Sequence, residues 1–376
     1  MPILTVSHLV LTILLPILDP YSVILEAFAW NFSTIGLPQN VPIWRFTIWR
    51  NKAYFAVPRW DKTTKVKFTL LEAAWPEFGN PLQLATVTGD LLPFPDSKSQ
   101  QEGVCKDLQS VTGLDSDGRG RLWILDAPTR SHQCSAKIVV FDLRRNEKVA
   151  ETELQNISPR DLKCLVVDPI IGQRGFQAYV SDPGGQSIIV YSLTQRTWWK
   201  LKLSSEPHIP KIFITDLAIS RKSPIMYLTG YQSDDLFSID LDSIRNEGVP
   251  PAGLLKNESL SEISVARVGS KMGSSSGLIC DLRGGLHYFL VTEIASVRWD
   301  SRLKLEAEGH RIQLQSETIP SITDYALDSQ KNVWAIVNER HPLRGPKHSE
   351  DAVGWKNRKS IKQRTIKVYK YKPFVL

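Results

Sequence analysis

The chain has 376 residues, 42% of them hydrophobic and 23% charged. That composition is ordinary for a globular protein with a sizeable core and excludes a disordered chain. The formal net charge of +7 lies in residues 340–376, where eleven Lys and Arg face only Glu350 and Asp351, so the rest of the chain is near −2. This basic C-terminal segment is typical of a solvated tail; the alternative is a patch for nucleic acid or an acidic polymer. No nucleic-acid motif accompanies it, so no nucleic-acid partner is expected.

The chain begins with an apolar run over residues 3–18 that is interrupted by Pro16. The run is too short to span a bilayer comfortably, and a small-x-small cleavage pattern follows at residues 27–29. We therefore expect a secretory signal peptide over residues 1–29, with its end between Ser22 and Ala29; the alternative is an uncleaved interfacial anchor. No later stretch reaches transmembrane length, so the remaining domain, residues 30–376, is expected to be extracellular.

Short strands then follow one another along the whole chain. They are predicted at residues 43–49, 53–57, 66–71, 110–114, 122–125, 137–141, 164–167, 178–181, 187–191, 213–219, 226–230, 236–239, 277–281, 286–291, 296–299, 321–327, 333–337 and 365–371. Turns rich in Gly, Pro, Asn and Asp separate them, and no long stretch has a helical period, which indicates an all-β protein. Residues 340–364 are polar and aperiodic, and we expect a long loop there.

One short phrase recurs six times: a polar or glycine turn leads into an apolar strand with an aromatic residue near its start. The copies are residues 51–57, 120–126, 177–182, 224–228, 285–291 and 332–337. The mean step is about 56 residues, near the period of propeller blades. A single blade cannot bury its own faces, so the repeat predicts one closed six-bladed β-propeller with any functional site at its axis.

The cysteines and sequons are consistent with secretion. The four cysteines are Cys105, Cys134, Cys164 and Cys280. An even number in a secreted chain suggests two disulfides, with three connectivities open; the alternative is free buried thiols. The candidate glycosylation sites are Asn31, Asn156 and Asn257, of which the second is disfavoured by Pro159.

Few motifs point to chemistry. Residues 273–277 match G-x-S-x-G, but no helix follows, so a flexible turn is the better interpretation. Four aspartates lie near the ends of strands that would approach the axis: Asp115, Asp168, Asp216 and Asp324. Calcium-dependent propeller hydrolases gather carboxylates at that place, whereas the alternative is ordinary turn chemistry. The histidines do not cluster, and neither a metal site nor a cofactor is predicted.

Five segments in order resemble the yellow / major royal jelly protein family of insects. Residues 118–126 (GRGRLWILD) resemble the family's D-R-L-W-V-L-D hallmark. The other segments are residues 53–60 (AYFAVPRW), 133–143 (QCSAKIVVFDL), 178–191 (AYVSD to SIIVY) and 332–338 (NVWAIVN). The resemblance extends from about Pro42 to Tyr371, nearly the whole mature chain.

The resemblance implies a secreted six-bladed propeller connected with melanin pigmentation, cuticle or eggshell hardening, nutrition or binding of small amines. We therefore expect an extracellular protein that binds or converts catechol-derived molecules in its central channel, with matrix proteins as further partners. If it is an enzyme, the resemblance implies a dopachrome-converting, tautomerase-like isomerase. The alternatives are a non-enzymatic binder of an amine or other small ligand, and a calcium-dependent lactonase-like hydrolase.

The resemblance also implies ligand-binding residues. Amine-binding members use an Asn, a Thr about fifteen residues earlier and an aromatic two residues after the Asn; Asn338 and Thr323 match, but Arg340 replaces the aromatic. A cation there should repel an ammonium ligand and suit a carboxylated one. The family's usual cysteine before R-L-W is also missing, since Arg119 and Gly120 stand there, which implies a rearranged disulfide. The sequence identifies no catalytic residue.

Overall fold

The computed structural model describes residues 27–38, 41–60, 65–75, 87–129, 134–204, 213–246, 261–343 and 363–372. Within these ranges the only α-helix is α1 (Leu241–Asn246), and three 3₁₀ turns occupy Ser33–Ile35, Lys98–Gln100 and Ala307–Gly309. None of the helices described is long and apolar enough to cross a membrane. The prediction of an all-β protein is confirmed.

The strands form six small sheets arranged as blades. The first strand of the chain, β1 (Ala27–Asn31), belongs to the last blade. Blade 1 comprises β2 (Arg45–Trp49), β3 (Lys52–Ala56), β4 (Leu70–Ala74) and β6 (Leu92–Pro93), while β5 (Val87–Asp90) leaves it to join β1. Blade 2 comprises β7 (Val111–Ser116), β8 (Arg121–Asp126), β9 (Lys137–Asp142) and β10 (Glu147–Glu153).

The remaining blades repeat the same antiparallel order. Blade 3 comprises β11 (Leu165–Val167), β12 (Gln177–Asp182), β13 (Ser187–Ser192) and β14 (Thr197–Ser204), with β18 (Ser261–Ser264) added in parallel. Blade 4 comprises β15 (Asp216–Ile219), β16 (Ile225–Thr229), β17 (Asp235–Asp240) and β19 (Ala266–Ser270). Blade 5 comprises β20 (Ser275–Cys280), β21 (Gly285–Leu290), β22 (Ala295–Asp300) and β23 (His310–Gln315). Blade 6 comprises β24 (Ser321–Leu327), β25 (Val333–Asn338) and β26 (Arg364–Tyr369), followed by β1 and β5.

The ring is closed by the two ends of the described chain. Strand β1 pairs antiparallel with β26, with Ala27 opposite Ile366 and Ala29 opposite Arg364. The innermost strand of each blade contacts those of its two neighbours, and β24 of blade 6 contacts β2 of blade 1. The six-bladed propeller is therefore confirmed. Strand β1 itself was not predicted, because residues up to Ala29 were assigned to the signal peptide, most of which lies outside the described residues.

The recurring aromatic residue has a physical explanation in the packing between blades. Trp123 of blade 2 meets Tyr191 of blade 3 with ring centroids 6.0 Å apart, and Trp334 of blade 6 meets Trp75 of blade 1 at 4.8 Å. Large rings fill the wedge between neighbouring sheets. Each tryptophan also donates its indole N–H to a turn aspartate, from Trp123 to Asp117 over 3.0 Å and from Trp334 to Asp328 over 2.8 Å.

The same hydrogen bond recurs in two further blades with other aromatic rings. Tyr179 donates its hydroxyl to Asp168 over 2.8 Å, and His287 Nε2 lies 3.0 Å from Asp281 Oδ2. In four of the six blades, the aspartate that directly follows the first strand thus binds the aromatic ring of the second strand. The turn function predicted as the alternative for Asp168 is the one the structure shows.

The innermost strands surround a central channel along the propeller axis. We call the face where these strands begin the upper face and the face where they end the lower face. The strands approach closely: a Cβ atom on Gly113 of β7 would lie 2.8 Å from Leu165 Cβ of β11, so this position has no room for a side chain. In β24 a β-bulge makes Thr323 an extra residue between Ile322 and Asp324, and this bulge re-aims the side chains at the upper end of the channel.

Candidate functional site

The predicted ligand residues Asn338 and Thr323 lie together at the upper end of the channel. Asn338 Nδ2 donates to Thr323 Oγ1 over 2.8 Å, and both side chains donate to the carbonyl oxygen of Ile43 over 2.8 Å. The Asn338 carbonyl oxygen in turn accepts from the Ile43 N–H over 2.9 Å and from Gln363 over 3.0 Å. Both side chains are fully buried. Their hydrogen-bonding capacity is directed to the backbone that leads into β2, where it fixes the next two residues.

Those two residues, Trp44 and Arg45, close the channel from above. The Trp44 indole N–H is shared between the carbonyl oxygens of Thr112 at 2.9 Å and Lys163 at 2.8 Å. The Arg45 guanidinium lies 4.3 Å from the Trp44 ring centroid. The Trp44 side chain of blade 1 thus binds the backbone of blades 2 and 3. We call Trp44 and Arg45 together the upper plug.

Arg45 joins four blades. Its Nη1 lies 2.8 Å from Asp216 and 3.3 Å from Asp324, and its Nη2 donates to the carbonyl oxygen of Thr215 over 2.6 Å. Its Nε donates to the Lys163 carbonyl over 3.3 Å. Burial disfavours the charged form, but the carboxylates outweigh it and raise the pKa of Arg45. The guanidinium therefore stays charged and takes the place that a bound cation would need.

The predicted third ligand residue, Arg340, is exposed and lines neither of the two cavities described below. The aromatic side chain at this end of the channel comes from the next residue, His341, which is buried. Its ring stacks on Tyr231 at 3.7 Å and meets Trp44 edge-on at 5.5 Å. Burial, with the nearby Arg45, lowers the pKa of His341 well below its usual value, so the imidazole is neutral.

Below the upper plug the channel opens into a cavity of about 110 Å³. Its wall includes Asp115, Asp324 and the thiols of Cys164 and Cys280. Burial raises the pKa of Asp324 to about 7 and that of Asp115 to about 6, while a hydrogen bond from the Val167 N–H to Asp115 acts in the opposite direction. Asp115 can therefore accept or return a proton near neutral pH.

The cysteines form one disulfide, not two. Cys105 and Cys134 are bonded, whereas Cys164 and Cys280 are free and buried. The expectation that all four would pair is thus met for one pair, because Cys164, directly before β11 of blade 3, and Cys280, at the end of β20 of blade 5, lie in different blades. Burial raises the pKa of the Cys164 thiol to about 12 and that of Cys280 further, so both remain protonated and unreactive.

The lower end of the channel widens into a second cavity, of about 570 Å³, which we call the lower mouth. The two cavities share Ser116, Val167, Arg221 and Leu327 in their walls, so they adjoin each other. Trp49 and Phe176 provide aromatic surface. The cationic lining residues are Arg50, Arg119, Arg221 and Lys331.

The four carboxylates proposed for calcium are bound by protein groups. Asp216 and Asp324 bind Arg45, Asp168 binds Arg245 at 2.8 Å, and Asp115 binds backbone N–H groups. Among the residues described, no three His, Cys, Asp or Glu side chains are placed to hold a metal ion. Because these carboxylates already have protein partners, the calcium-dependent hydrolase has no support in this geometry.

Sequence reasoning missed the plug residues and the cations of the lower mouth. A signal for the cations was present: a basic residue stands at or shortly before the start of each of the six repeated phrases. No comparable signal marked Arg45, whose carboxylate partners lie 171 and 279 residues away in the chain. Of the glycosylation candidates, Asn156 is exposed, Asn31 is half-buried with its carbonyl oxygen bound by Ser33, and Asn257 lies outside the described residues.

Comparisons with known proteins agree with this architecture. A family model described as "Major royal jelly protein" matches residues 109–365. Major royal jelly protein 9 of Apis mellifera is 23% identical over 332 residues, which cover 77% of this chain and 75% of the relative. Major royal jelly protein 3 of Apis mellifera is 28% identical over 224 residues, or 51% of this chain and 40% of that relative.

Two solved structures share the fold. A luciferin-regenerating enzyme superimposes with a TM-score of 0.52 at 10% identity, covering 92% of this chain and 97% of that one. The calcium-binding protein regucalcin from Agrobacterium tumefaciens superimposes with a TM-score of 0.51 at 13% identity, covering 90% and 93%. At such identities the likeness concerns the propeller alone.

Proposed function

This chain belongs to the major royal jelly protein family, and on that premise we propose that it is a secreted propeller acting in melanin pigmentation or in hardening of cuticle or eggshell. In this role it binds or converts catechol-derived small molecules in its central channel. The observation that carries the proposal is the lower mouth, a cavity of about 570 Å³ that adjoins the channel. This volume lies within the range of about 300–1,000 Å³ typical of small-ligand sites.

A ligand from solution would enter the channel from the lower face. The upper plug and the ring of His341 close the other end, and every polar group of Asn338 and Thr323 there is directed to protein partners. Trp49 and Phe176 contribute aromatic rings to the wall of the lower mouth, and the Arg50 guanidinium lies 4.8 Å from the Trp49 ring centroid, so a catechol ring would pack beside this pair. Binding at Asn338 and Thr323, as the family resemblance implies, would require displacement of Ile43 from their side chains.

Conversion requires one group that takes and returns a proton. Isomerisation of a dopachrome-type quinone moves a proton from carbon without change in composition, and a carboxylate with a pKa near the working pH is suited to that step. Asp115 meets this condition, since burial raises its pKa to about 6 and it lines the channel. We assign it as the proton acceptor if the protein is an enzyme.

A dopachrome decay assay on the purified protein separates the enzyme from the binder. We expect accelerated decay that is lost in Asp115→Asn, while catechol binding measured by calorimetry is retained. Binding without acceleration would establish the non-enzymatic alternative. Absence of both binding and acceleration would refute the proposed function.

A further inference from the structure

Each blade carries a basic residue in the turn between its first and second strands. These turn cations are Arg50, Arg119, Arg174, Arg221, Arg283 and Lys331. All of the turns lie on the lower face, because the innermost strands end there. Lys222 stands beside Arg221 in the turn of blade 4, so the six turns together place seven positive charges around one end of the channel.

Four of the six turn cations line the lower mouth, and the other two do not. Arg174 packs on the Trp199 ring at 4.2 Å, and Arg283 donates to the carbonyl oxygen of Lys372. The lining four are Arg50, Arg119, Arg221 and Lys331, from blades 1, 2, 4 and 6. Arg50 packs on the Trp49 ring and Arg119 on the Phe176 ring, each at 4.8 Å. In the part of the chain that the structure describes, no ion pair or side-chain hydrogen bond involves any of the lining four.

The carboxylates at the same rim are already engaged within their own blades. Asp117 binds Arg121 at 2.6 Å, and Asp328 binds Asn332 and Trp334, each at 2.8 Å. The third, Asp168, is bound by Arg245 from outside the cavity. The four lining cations therefore outnumber the three carboxylates of the lower mouth, and an anion from solution would be attracted to it.

We propose that the lower mouth is a binding site for small organic anions, which carry a carboxylate, sulfate or phosphate group, and that it rejects amines. This inference rests on the proposed function because both concern the same cavity. It adds the charge of the ligand. Guanidinium groups bind such planar or tetrahedral anions with paired hydrogen bonds. An ammonium ligand would instead meet four like charges.

Arg221 is the residue that sets this selectivity. It is the only one of the four cations that lines both cavities, so it stands where the lower mouth meets the channel. Its charge also acts on Asp115 in the channel wall. A ligand whose anionic group binds Arg221 would therefore place its remaining part either against Trp49 in the mouth or toward Asp115 in the channel.

Calorimetric titration with three probes tests the proposal. The first two, 3,4-dihydroxyphenylacetate and dopamine, share a catechol ring but differ in charge; the third, citrate, is an anion without a catechol. We expect the dihydroxyphenylacetate to bind at least about tenfold more tightly than dopamine, since a charged hydrogen bond contributes that much or more. We expect citrate to bind and to compete with it. Raising the salt concentration should weaken binding of both anions.

Variants then locate the site. Arg221→Gln and Lys331→Gln should each weaken anion binding about tenfold or more, by the same reasoning. Arg145→Gln is the matched control: it removes one exposed cation from the turn between β9 and β10 of blade 2, where Arg145 pairs with Glu147 at 3.1 Å outside the lower mouth. The anion affinity of Arg145→Gln should equal that of the unaltered protein. Thermal melting of all three variants verifies that they are folded.

The outcomes separate this inference from the proposed function. Equal or tighter binding of dopamine would overturn anion selectivity and leave the proposed function intact. Citrate binding that is lost in Arg221→Gln, without binding of either catechol, would support the anion site and overturn the proposed function. Absence of binding of any anion would overturn the inference. So would a loss of anion affinity in Arg145→Gln as large as that in Arg221→Gln.

Discussion

Replacement of Arg45 by leucine should be strongly destabilising, because one guanidinium compensates two buried carboxylates. Nη1 lies 2.8 Å from Asp216 and 3.3 Å from Asp324, and all three side chains are largely excluded from water. Removal of one partner from a buried ion pair costs about 3–5 kcal/mol, since it leaves an uncompensated charge in a medium of low polarity. The loss of donors to Thr215 and Lys163 acts in the same direction.

Urea unfolding at pH 8 and pH 5 measures this cost and identifies its cause. Without Arg45, the pKa of Asp324 should rise above the value of about 7 that it has in the intact protein. The folded variant then binds protons that the unfolded chain does not, so its stability increases as pH falls from 8 to 5. The difference in unfolding free energy between Arg45→Leu and the unaltered protein should therefore narrow at pH 5.

A double variant supplies the control. Adding Asp324→Asn to Arg45→Leu removes one of the two uncompensated charges and should recover part of the lost stability at pH 8. A cost below about 1 kcal/mol at pH 8, the level of an exposed ion pair, would refute the reasoning. So would a cost that is the same at both pH values, or a double variant no more stable than the single one.

Three further predictions concern other parts of the molecule. The pKa of Asp115 in the folded protein is about 6, above the usual 3.8, so the stability that this carboxyl contributes should be lost as pH rises from 4 through 6. Urea unfolding of Asp115→Asn at a series of pH values should lack this loss. The same dependence of the unfolding free energy on pH in the variant would contradict the prediction. A thiol reagent should leave Cys164 and Cys280 untouched in the native protein and count two thiols in urea; a count of zero would reveal a second disulfide. N-terminal sequencing of the protein purified from eukaryotic cells should give a first residue at or before Ala27, because β1 closes the ring; a first residue at Trp30 would contradict this.

The blade pattern was readable from the sequence because its causes are local. Alternating apolar residues, a turn residue with the required backbone angle and an aromatic ring a few positions later are all set within about ten residues. Asp117 and Trp123, for example, are six positions apart and hydrogen-bonded to each other. The family resemblance rests on the same local phrases. Local patterning did not reveal β1, whose partner β26 lies more than three hundred residues later. It also did not reveal the fourth strands of blades 2 to 5, which are β10, β14, β19 and β23.

The contents of the channel were decided only by the tertiary structure. Asn338 and Thr323 were predicted as ligand-binding residues, and the structure places their side chains 2.8 Å apart, but the sequence could not show that both bind the backbone of Ile43, nearly three hundred residues away. Nor could it show that Arg45 would stand between Asp216 and Asp324, or that cations from four separate turns would surround one cavity. The residues of each blade determine that blade, whereas the axis is formed by one or two residues from every blade. Their chemistry exists only once the ring has closed.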